Sequence, residues 1–268
     1  MTAGTTTGHA PDWTRLLADW DRQQSGYLLQ REGRFTAALD AMAELVGDRL
    51  AAGGTVLDLA CGPGSFSARV LDRFPAARVV AVDMDPALLA VGAGALTDER
   101  LTWVDADLRD PGWPARLPVG EVDAVISSTA LHWLSAGQLA STYRRVAGLL
   151  RPGGVLLNAD NMAYDPHQQT FTRLTAAAER RRAELAFGAD GAPDWEAWWA
   201  TALAAPELAG AVAERGRRNA AQRGPDDHEP GARLTGVRLH VAALLEAGFT
   251  EADTIWQDHD DRVVLGVR

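Results

Sequence analysis

The feature that most constrains this chain is a short apolar run that leads into a glycine turn and then a helix. Residues 55–59 read Thr-Val-Leu-Asp-Leu, Gly62 and Gly64 follow, and residues 66–74 have helical spacing. Glycines at such a turn let the backbone fold tightly and approach a ligand closely. This pattern predicts the first strand and helix of a parallel α/β sheet, with a ligand site at the turn.

The same alternation continues along the chain and predicts a doubly wound, mostly parallel α/β sheet. Further strands are predicted at 78–82, 101–104, 122–127, 155–158, 250–257 and 262–267, and helices at 86–95, 138–150 and 239–247. Amphipathic helical spacing also covers residues 13–50, with a break near Ser25-Gly26. Residues 161–235 interrupt the rhythm with helical stretches at 168–186 and 194–215.

These patterns divide the chain into five segments. A connection of this length late in an α/β sheet is typical of a functional lid, so we assign substrate binding to the long insertion. The predicted segments are a disordered tail (1–12), an N-terminal helical lid (13–52), a cofactor-binding core (53–160), a helical substrate-binding insertion (161–235), and a C-terminal helix and strand hairpin that complete the core (236–268).

Composition excludes several function classes. The formal net charge of −10 opposes binding to a nucleic-acid polyanion, and no apolar run of 18 residues predicts a membrane helix. A single cysteine, Cys61, cannot form an intrachain disulfide, and the six histidines are scattered, so we predict no metal site. The start of the chain lacks signal-peptide features. We therefore expect a cytoplasmic monomer or homodimer that acts on a small molecule.

Acidic residues follow the second and third predicted strands. Asp83 lies 21 residues after Gly62, where a carboxylate can accept hydrogen bonds from both ribose hydroxyls. The alternative is that Asp83 and Asp85 cap the helix that starts at Pro86, and we favour this role for Asp85 alone. Asp107, preferred to Asp105, is a candidate acceptor for an adenine amino group, and Leu108 a candidate to pack on the ring; the alternative is a solvated acidic loop.

The loop after the fourth predicted strand lies at the same edge of the sheet. Ser127 and Trp133 are candidates for the cofactor wall, and Trp133 could instead pack in the core. His132 is a candidate to orient or deprotonate a nucleophile, because histidine titrates near neutral pH. Its alternative role is structural.

The substrate pocket is predicted between the N-terminal helices and the insertion. Three tryptophans of the insertion share one helix face, which is more often a core stripe than a pocket wall. The run Arg180-Arg181-Arg182 is interpreted as a solvated helix face. The candidates are Tyr27, Arg31 and Arg34 from the N-terminal helices, and Trp195, Trp198, Trp199 and His228 from the insertion.

Together these motifs resemble the class I S-adenosylmethionine-dependent methyltransferases. The resemblance rests on Asp58-x-x-Cys61-Gly62-x-Gly64, Asp83, Asp107 and the turn at 149–154, and covers about residues 55–160. It implies S-adenosylmethionine as cofactor, with Asp58, Ala60 and Met84 among its contacts. It also implies strand order 3-2-1-4-5-7-6 with strand seven antiparallel. The Ser-Ser-Thr-Ala-Leu-His-Trp stretch resembles the small-molecule branch, of the trans-aconitate and ubiquinone-biosynthesis types.

The predicted function is methyl transfer to an oxygen, nitrogen, sulfur or carbon atom of a small metabolite. Three alternatives stay open at this point. They are a cyclase or isomerase that uses the same cofactor, a non-catalytic cofactor-sensing subunit, and a nicotinamide-dependent oxidoreductase. Ser67, which stands where the dinucleotide fingerprint has its third glycine, speaks against the last of these.

Overall fold

A computed structural model describes residues 12–222 and 235–268. The predicted tail, apart from residue 12, and the candidate His228 lie outside the described residues. The helices are α1 (Trp13–Tyr27), α2 (Arg31–Ala51), α3 (Ser65–Arg73), α4 (Pro86–Ala95), α5 (Ala136–Leu149), α6 (Gln169–Ala183), α7 (Trp195–Leu203), α8 (Ala209–Gln222) and α9 (Val237–Glu246). The strands are β1 (Thr55–Leu59), β2 (Arg78–Asp83), β3 (Leu101–Asp105), β4 (Val122–Ser128), β5 (Leu150–Asn161), β6 (Glu251–Asp258) and β7 (Asp261–Val267). Short helical turns occupy Trp113–Arg116, Leu131–Trp133, Glu184–Ala189 and Pro206–Leu208.

The strands of the described residues form a seven-stranded sheet in the order β3-β2-β1-β4-β5-β7-β6. β1 to β5 pair in parallel, whereas β7 is antiparallel to both of its neighbours. The predicted fold class and strand order are therefore confirmed. The strand order reverses between β1 and β4, which is the point where ligands bind in such sheets.

The central strand β1 is buried on both faces, which explains its nearly continuous apolar sequence. Leu57 and Leu59 belong to the apolar cluster that includes α5 and α9, and Val56 belongs to the cluster that includes α2 and α3. Alternate residues of the strand thus serve opposite layers of helices. This sandwich fixes the carboxyl end of β1, where the glycine turn begins.

The first helical segment breaks later than predicted. α1 continues through Ser25 and Gly26 to Tyr27, and Leu28–Gln30 separate it from α2. Gly26 is needed for packing, because a Cβ at this position would lie 2.5 Å from the ring of Phe187. The glycine that resembles a chain break is therefore a close contact between α1 and the insertion.

Several strand boundaries in the second half of the chain also differ from the prediction. β5 begins at Leu150, five residues before the predicted Val155, because Leu150 already pairs with Val122 ahead of a bulge. Near the end of the chain, β6 extends to Asp258 and β7 begins at Asp261. The turn between them therefore consists of His259 and Asp260.

The insertion packs on α1 and α4 above the carboxyl edge of the sheet. Trp198 of α7 is buried and donates from Nε1 to the backbone oxygen of Leu16 at 2.9 Å. The two side chains share an apolar cluster with Val91 of α4. We call α1 and residues 169–222 the helical cap. It closes the space above the strand ends from one side.

Candidate active site

A cavity of about 810 Å³ lies between the helical cap and the carboxyl ends of the parallel strands. Its volume is within the range of about 300–1,000 Å³ that is typical of small-molecule sites. Many of the predicted site residues lie on its wall: Tyr27, Arg31, Asp58, Ala60, Gly62, Asp83, Met84, Asp107, Leu108, His132, Trp133 and Trp195.

The glycine turn forms the floor of the cavity. Gly62 has φ +56° and donates its N–H to Asp83 Oδ2 at 2.8 Å, while Ala60 adopts φ +51° without being glycine. A non-glycine residue in this region is strained, and such strain is concentrated at functional sites. Gly64 (φ +86°) lies off the wall; a Cβ there would come within 2.6 Å of Trp103, so its role is packing at the start of α3.

Asp83 presents a buried carboxylate to the cavity. Its two oxygens accept one bond each, from the N–H groups of Gly62 and Asp85, both at 2.8 Å. Burial raises its pKa to about 6, although these two hydrogen bonds lower it. Each carboxylate oxygen keeps accepting capacity, so Asp83 fits the paired hydroxyls of a ribose.

Asp85 has the capping role that the sequence favours for it. Its Oδ1 accepts the N–H of Ala87 in the first turn of α4 at 2.9 Å, and Pro86 occupies the first helical position. Its Oδ2 also accepts a bond from Arg215 of α8 at 2.6 Å. The loop after β2 is thus held from both sides.

Asp58 and Ser67 form a buried pair beneath the glycine turn. Ser67 Oγ donates to Asp58 Oδ2 at 2.7 Å. Burial raises the pKa of Asp58 to about 7, against the lowering effect of the Ser67 hydrogen bond. The serine that replaces the third fingerprint glycine therefore ties β1 to α3 beside the cavity.

The end of β3 separates the two candidate adenine-binding acids. Asp107 lies on the cavity wall and pairs with Arg109 at 2.8 Å, and Leu108 lies beside it. Asp105 instead forms a two-pronged ion pair with Arg218 of α8, with both distances at 2.7 Å. Of these two acids, Asp107 is the one on the cavity wall and stays the candidate for contact with an adenine base.

At the end of β4, the residues that line the cavity begin one position later than predicted, at Ser128 instead of Ser127. Ser127 is buried, and its hydroxyl donates to the backbone oxygen of Leu59 at 2.9 Å, so it holds β1 to β4 instead of facing the cavity. Ser128 and Thr129 line the wall. Buried Arg34 donates to their hydroxyls at 2.8 and 3.0 Å and pairs with Asp261 at 2.9 Å.

His132 forms a pair with Asp160, a residue that sequence reasoning missed. The ring Nδ1 lies 2.5 Å from Asp160 Oδ1, and the backbone N–H of His132 donates to Oδ2 at 2.9 Å. A carboxylate can only accept, so Nδ1 carries the proton and Nε2 is the ring nitrogen that this pair does not use. The sequence did carry a signal for this pair, because Asp160 follows the predicted fifth strand, which the predicted strand order places next to β4.

The charges of this pair support each other. Burial lowers the pKa of His132, but the charge and hydrogen bond of Asp160 outweigh it, so the net pKa lies above the ordinary value. Burial raises the pKa of Asp160, but the charge and hydrogen bond of His132 lower it, so the net pKa lies below its usual value. Asp160 therefore stays ionised near neutral pH and can stabilise a protonated His132.

The aromatic candidates divide between wall and core. Tyr27 and Trp195 line the cavity, and the phenolic oxygen of Tyr27 accepts the backbone N–H of Trp195 at 3.1 Å. Trp133 also lines it, with 79 % of its surface exposed, which places the indole at the mouth. Trp199 is buried under the guanidinium of Arg215, 3.8 Å from the ring centre, and does not reach the wall.

Several wall residues carry no clear signal in the sequence. Arg180 lines the cavity, although its run of three arginines was interpreted as a solvated face. Glu179 and Asp260 line it from α6 and from the β6–β7 turn. Helical periodicity would show that Ala183 shares a face with Glu179 and Arg180, but not which neighbour that face meets.

Two kinds of feature are absent from the described ranges, 12–222 and 235–268. These residues contain no cluster of three or more His, Cys, Asp or Glu side chains that could hold a metal ion. Their helices include none with the length and apolar character needed to cross a membrane. Metal independence of the activity stays a prediction.

Comparison with known proteins gives consistent sequence matches. A family profile described as a methyltransferase domain matches residues 56–154. A trans-aconitate 2-methyltransferase of Methylobacterium nodulans is 30 % identical over 193 residues, which cover 68 % of this chain and 67 % of the relative. One from Azoarcus sp. is 35 % identical over 159 residues, 59 % of this chain and 57 % of the relative. The latter match thus spans little more than half of that relative's length.

Solved structures share the fold at low sequence identity. DesVI of Streptomyces venezuelae is 12 % identical, with a TM-score of 0.56 over 97 % of this chain and 99 % of DesVI. A putative O-methyltransferase of Nostoc punctiforme is 13 % identical, with a TM-score of 0.56 over 100 % of this chain and 63 % of that one. Both likenesses concern the fold alone.

The reversed strand order and the acid-lined cavity at its switch point define a nucleoside-cofactor-binding protein of the doubly wound class. Within that class, the sequence matches point to the methyltransferases. The chain belongs to the class I S-adenosylmethionine-dependent methyltransferases, in the branch that contains the trans-aconitate 2-methyltransferases. The resemblance seen in the sequence is thereby confirmed.

Proposed function

We propose that this protein transfers the methyl group of S-adenosylmethionine to a small molecule, with His132 as the general base. The observation that carries the proposal is the His132–Asp160 pair on the wall of a cavity that also contains Asp83. The proposed base His132 and the proposed ribose-binding acid Asp83 thus face the same cavity. A reaction between a nucleoside cofactor and a second molecule needs this arrangement.

Four residues on the cavity wall support the binding of S-adenosylmethionine. We assign Asp83 to the ribose hydroxyls and Asp107 with Leu108 to the adenine, and Gly62 allows close approach of the backbone. When bound, the cofactor supplies an electrophilic methyl group on a sulfonium ion. The protein contributes binding and alignment, and alignment of two reactants can provide about 7–11 kcal/mol.

His132 and Asp160 divide the proton chemistry. Asp160 holds the proton on Nδ1, which leaves Nε2 of His132 free to accept a proton from a substrate hydroxyl or amine. The buried carboxylate then stabilises the imidazolium, as in other histidine–carboxylate pairs. General-base catalysis of this kind contributes roughly 10²–10⁴-fold.

A second candidate function uses a carboxylate as the nucleophile. The curated relatives named above are trans-aconitate 2-methyltransferases, and a carboxylate is already ionised at neutral pH. The cation of Arg180 on the cavity wall favours an anionic substrate. In this case His132 would position the substrate without taking a proton.

Methyl-labelled S-adenosylmethionine tests the proposal. The enzyme is incubated with a host extract and, separately, with trans-aconitate, and labelled small molecules are identified by mass spectrometry. A labelled methyl ether, formed from an alcohol or phenol, or a labelled N-methylamine supports the base role, and a labelled methyl ester of trans-aconitate supports the second candidate. Cofactor turnover without a methylated product would point to a cyclase or isomerase, and no turnover in either mixture would contradict both candidates.

The variant His132→Asn separates the two roles on whichever substrate is methylated. If His132 removes a proton, the variant should lose about 10²-fold in kcat, because an amide does not accept a proton at neutral pH. If it only positions a carboxylate, most of the rate should remain. Binding of S-adenosylhomocysteine, measured by calorimetry, should stay within a few-fold in either case.

We further propose a cytoplasmic monomer or homodimer that acts without nucleic acid. The formal net charge of −10 supports the exclusion of nucleic acid, since the overall field of the protein would repel a polyanion. Light scattering coupled to size exclusion would determine the oligomeric state. A shift of the elution position on addition of RNA or DNA would contradict the exclusion of nucleic acid.

A further inference from the structure

A second cavity, of about 570 Å³, lies beside the active-site cavity. Among the described residues its wall comes from α6, from the segment after β5 and from the β6–β7 turn. We call it the side cavity. Glu179 and Asp260 line both cavities. A ligand that extends from one cavity into the other therefore passes these two carboxylates.

The junction of the two cavities lies close to the proposed base. Asp160, the partner of His132, is opposite Arg262 in the pairing of β5 with β7. Asp260 precedes Arg262 by two residues, just beyond the end of this pairing. With about 4.8 Å between strands and a rise of about 3.3 Å per residue, the Cα atoms of Asp160 and Asp260 are roughly 8 Å apart. A single small molecule can therefore reach both His132 and the junction.

The basic side chains close to the two acids of the junction have other partners. His259 pairs with Asp258 at 2.8 Å, and the guanidinium of Arg262 donates to backbone oxygen atoms. Within residues 12–222 and 235–268, neither Glu179 nor Asp260 forms an ion pair. The two carboxylates thus face the cavities without a neutralising cation from this part of the chain.

Burial and repulsion both act on these acids. Burial raises the pKa of Glu179, and the charge of Asp260 raises it further. Burial also raises the pKa of Asp260, although the charge of Arg262 lowers it. A cation bound between the two would favour the ionised form of both. Arg173 and Arg180, the arginines that α6 contributes to the walls, are exposed, so water and salt screen their charge, and the junction favours a cation over an anion.

The side cavity also contains a buried hydroxyl that lacks a partner. Thr175 of α6 is only 4 % exposed and lines the side cavity, and its Oγ1 has no hydrogen-bond partner among the described residues. A helical threonine can bond to the backbone oxygen four residues earlier, as Thr172 does to Gln168 at 3.3 Å. An unpaired buried hydroxyl is costly, so Thr175 needs a polar atom from a ligand. Tyr164, stacked on Phe171, adds an aromatic surface to the same wall.

We propose that the substrate is an elongated amine whose ammonium group binds between Glu179 and Asp260 and whose far end occupies the side cavity. The nucleophile, a hydroxyl or a second amine, lies at His132 on the other side of the ammonium group. The inference rests on the proposed function and specifies the substrate class of its first candidate. The amino group of S-adenosylmethionine is the other source of an ammonium ion, so cofactor binding is measured separately.

Three phenols with the same ring test the preference for charge. Tyramine carries an ammonium group, tyrosol a neutral hydroxyl and 4-hydroxyphenylacetate a carboxylate. Their affinities for protein saturated with S-adenosylhomocysteine are measured by ligand-observed NMR, without any variant. Tyramine should bind about 10-fold more tightly than 4-hydroxyphenylacetate and several-fold more tightly than tyrosol, because it alone makes charge-assisted hydrogen bonds to the acids. Equal affinities of the three, or binding of none, would overturn the inference.

N-butyltyramine tests the use of the side cavity. Its alkyl chain extends beyond the ammonium group, so the wild-type protein should bind it several-fold more tightly than tyramine. Ala176→Phe places a ring in the side cavity and should remove this gain, while tyramine stays within about threefold. If the gain were absent from the wild type, or unchanged in the variant, the far end of the substrate would not lie in the side cavity.

The double variant Glu179→Gln, Asp260→Asn should bind tyramine and tyrosol equally well, because it keeps the shape of both side chains and removes their charge. Binding of S-adenosylhomocysteine, measured by calorimetry, should stay within a few-fold. The matched control is Glu184→Gln, the same change five residues further along, at an exposed residue that lines neither cavity. It should keep the wild-type preference for tyramine.

Two results with the double variant would overturn the assignment. A preference for tyramine that persists would show that the ammonium group binds elsewhere. A large loss of S-adenosylhomocysteine affinity would assign the two acids to the cofactor. If S-adenosylhomocysteine did not bind the wild-type protein, the proposed function would fail along with this inference, whereas the results with the phenols leave the proposed function intact.

Discussion

His132 depends for its chemistry on a residue 28 positions further along the chain. The ring is fixed through Nδ1 by Asp160, and the same carboxylate accepts the backbone N–H of His132. The two bonds hold the loop after β4 to the end of β5. Tautomer and orientation of the imidazole are thus determined before a substrate arrives.

Asp160→Asn should change the pH dependence of the reaction as well as its rate. Asp160 raises the pKa of His132, and a general base works only when deprotonated, so the acid limb of kcat/KM follows that raised value. Without the carboxylate, burial and the charge of Arg34 remain, and both lower the pKa of the imidazole. The acid limb should then move to lower pH, while kcat falls on the order of 10²-fold because the tautomer is no longer fixed.

The matched control is Asp258→Asn, which breaks a histidine–carboxylate pair with His259 outside the cavity, where the two groups are 2.8 Å apart. Its pH profile should match the wild type. A profile of Asp160→Asn that keeps the wild-type acid limb would show that His132 does not titrate in the reaction.

Site residues were predictable from the sequence where a local pattern determines their position. Asp83 ends a strand at a fixed distance from Gly62, so its place could be predicted without the tertiary fold. Asp160 meets His132 only because β5 lies beside β4, which is a non-local pairing. Trp195 and Trp199 lie on one helix, and which of them reaches the cavity depends on where α7 docks.

At the scale of elements, α8 is attached to the loops that follow β2 and β3. Arg218 reaches across to both carboxylate oxygens of Asp105 and to the backbone oxygen of Met84, each at 2.7 Å. Arg215 adds the bond to Asp85. These contacts join the helical cap to the part of the cavity assigned to adenine and ribose.

Arg218→Ala should therefore weaken both the fold and the cofactor site. The pair is partly exposed, so we expect a loss of about 1 kcal/mol in the free energy of unfolding, together with a several-fold weaker binding of S-adenosylhomocysteine. Denaturant titration and calorimetry measure the two effects. Arg217→Ala is the control, since Arg217 lies on the same helix, is largely exposed and, among the described residues, forms an ion pair with Glu214 alone.

The opposite result for this pair of variants is also informative. If Arg217→Ala and Arg218→Ala bound S-adenosylhomocysteine equally well, the attachment of α8 would have no influence on the cofactor site. The helical cap would then serve the substrate alone.

The packing of α4 on the glycine turn allows no side chain at Gly92. A Cβ there would lie 2.8 Å from the backbone oxygen of Pro63 and would also collide with the ring of Trp103. Gly92→Ala should lower the free energy of unfolding by about 1–3 kcal/mol, as is usual for overpacking. Gly137→Ala in α5 is the control, because a Cβ there meets nothing within 4 Å.

Denaturant titration of both variants tests this packing argument. We expect Gly137→Ala to be neutral or up to about 1 kcal/mol more stable, owing to the higher helix propensity of alanine. A Gly92→Ala protein as stable as Gly137→Ala would mean that α4 can move off the turn at no cost.

The elements themselves were predicted well and their boundaries less well. The alternation from residue 55 onward determined the order of strands and helices, because the two patterns have different hydrophobic periods. Gly26 was interpreted as a break because glycine interrupts helices and also permits close packing. Only the ring of Phe187 distinguishes the two, and it lies far away in the sequence.

At the scale of the whole molecule, the cavity has walls from distant parts of the chain. α1 contributes Trp20, Gln24 and Tyr27, and α6 contributes Glu179 and Arg180. The strand order alone predicts the floor of such a cavity. The two helical segments of its roof were also expected from the sequence, but which of their residues face the cavity could not be predicted, because that depends on how the segments pack on each other.

Removal of residues 1–28 tests the contribution of α1 to the roof. The truncated protein keeps α2 and the sheet, but loses four wall residues and the partners of Trp198, so turnover should fall by at least 10-fold. Removal of residues 1–11, which spares α1, is the control and should leave kcat/KM unchanged. Circular dichroism would report whether the sheet and its helices persist in the longer deletion.

Wild-type turnover of the longer deletion would contradict the role of α1 in the roof. A folded but inactive protein would support it. In that case, calorimetry with S-adenosylhomocysteine would show whether the loss lies in cofactor binding or in substrate binding.

The insertion of β7 between β5 and β6 has a consequence for synthesis. β7 carries Asp261, the buried partner of Arg34, and Arg34 holds the loop after β4 through Ser128 and Thr129. A ribosome that has made residues 1–250 has produced every strand around the glycine turn, but not the one that locks this loop. We therefore expect the loop after β4 of a nascent chain to stay unanchored until β7 has left the exit tunnel and paired with β5.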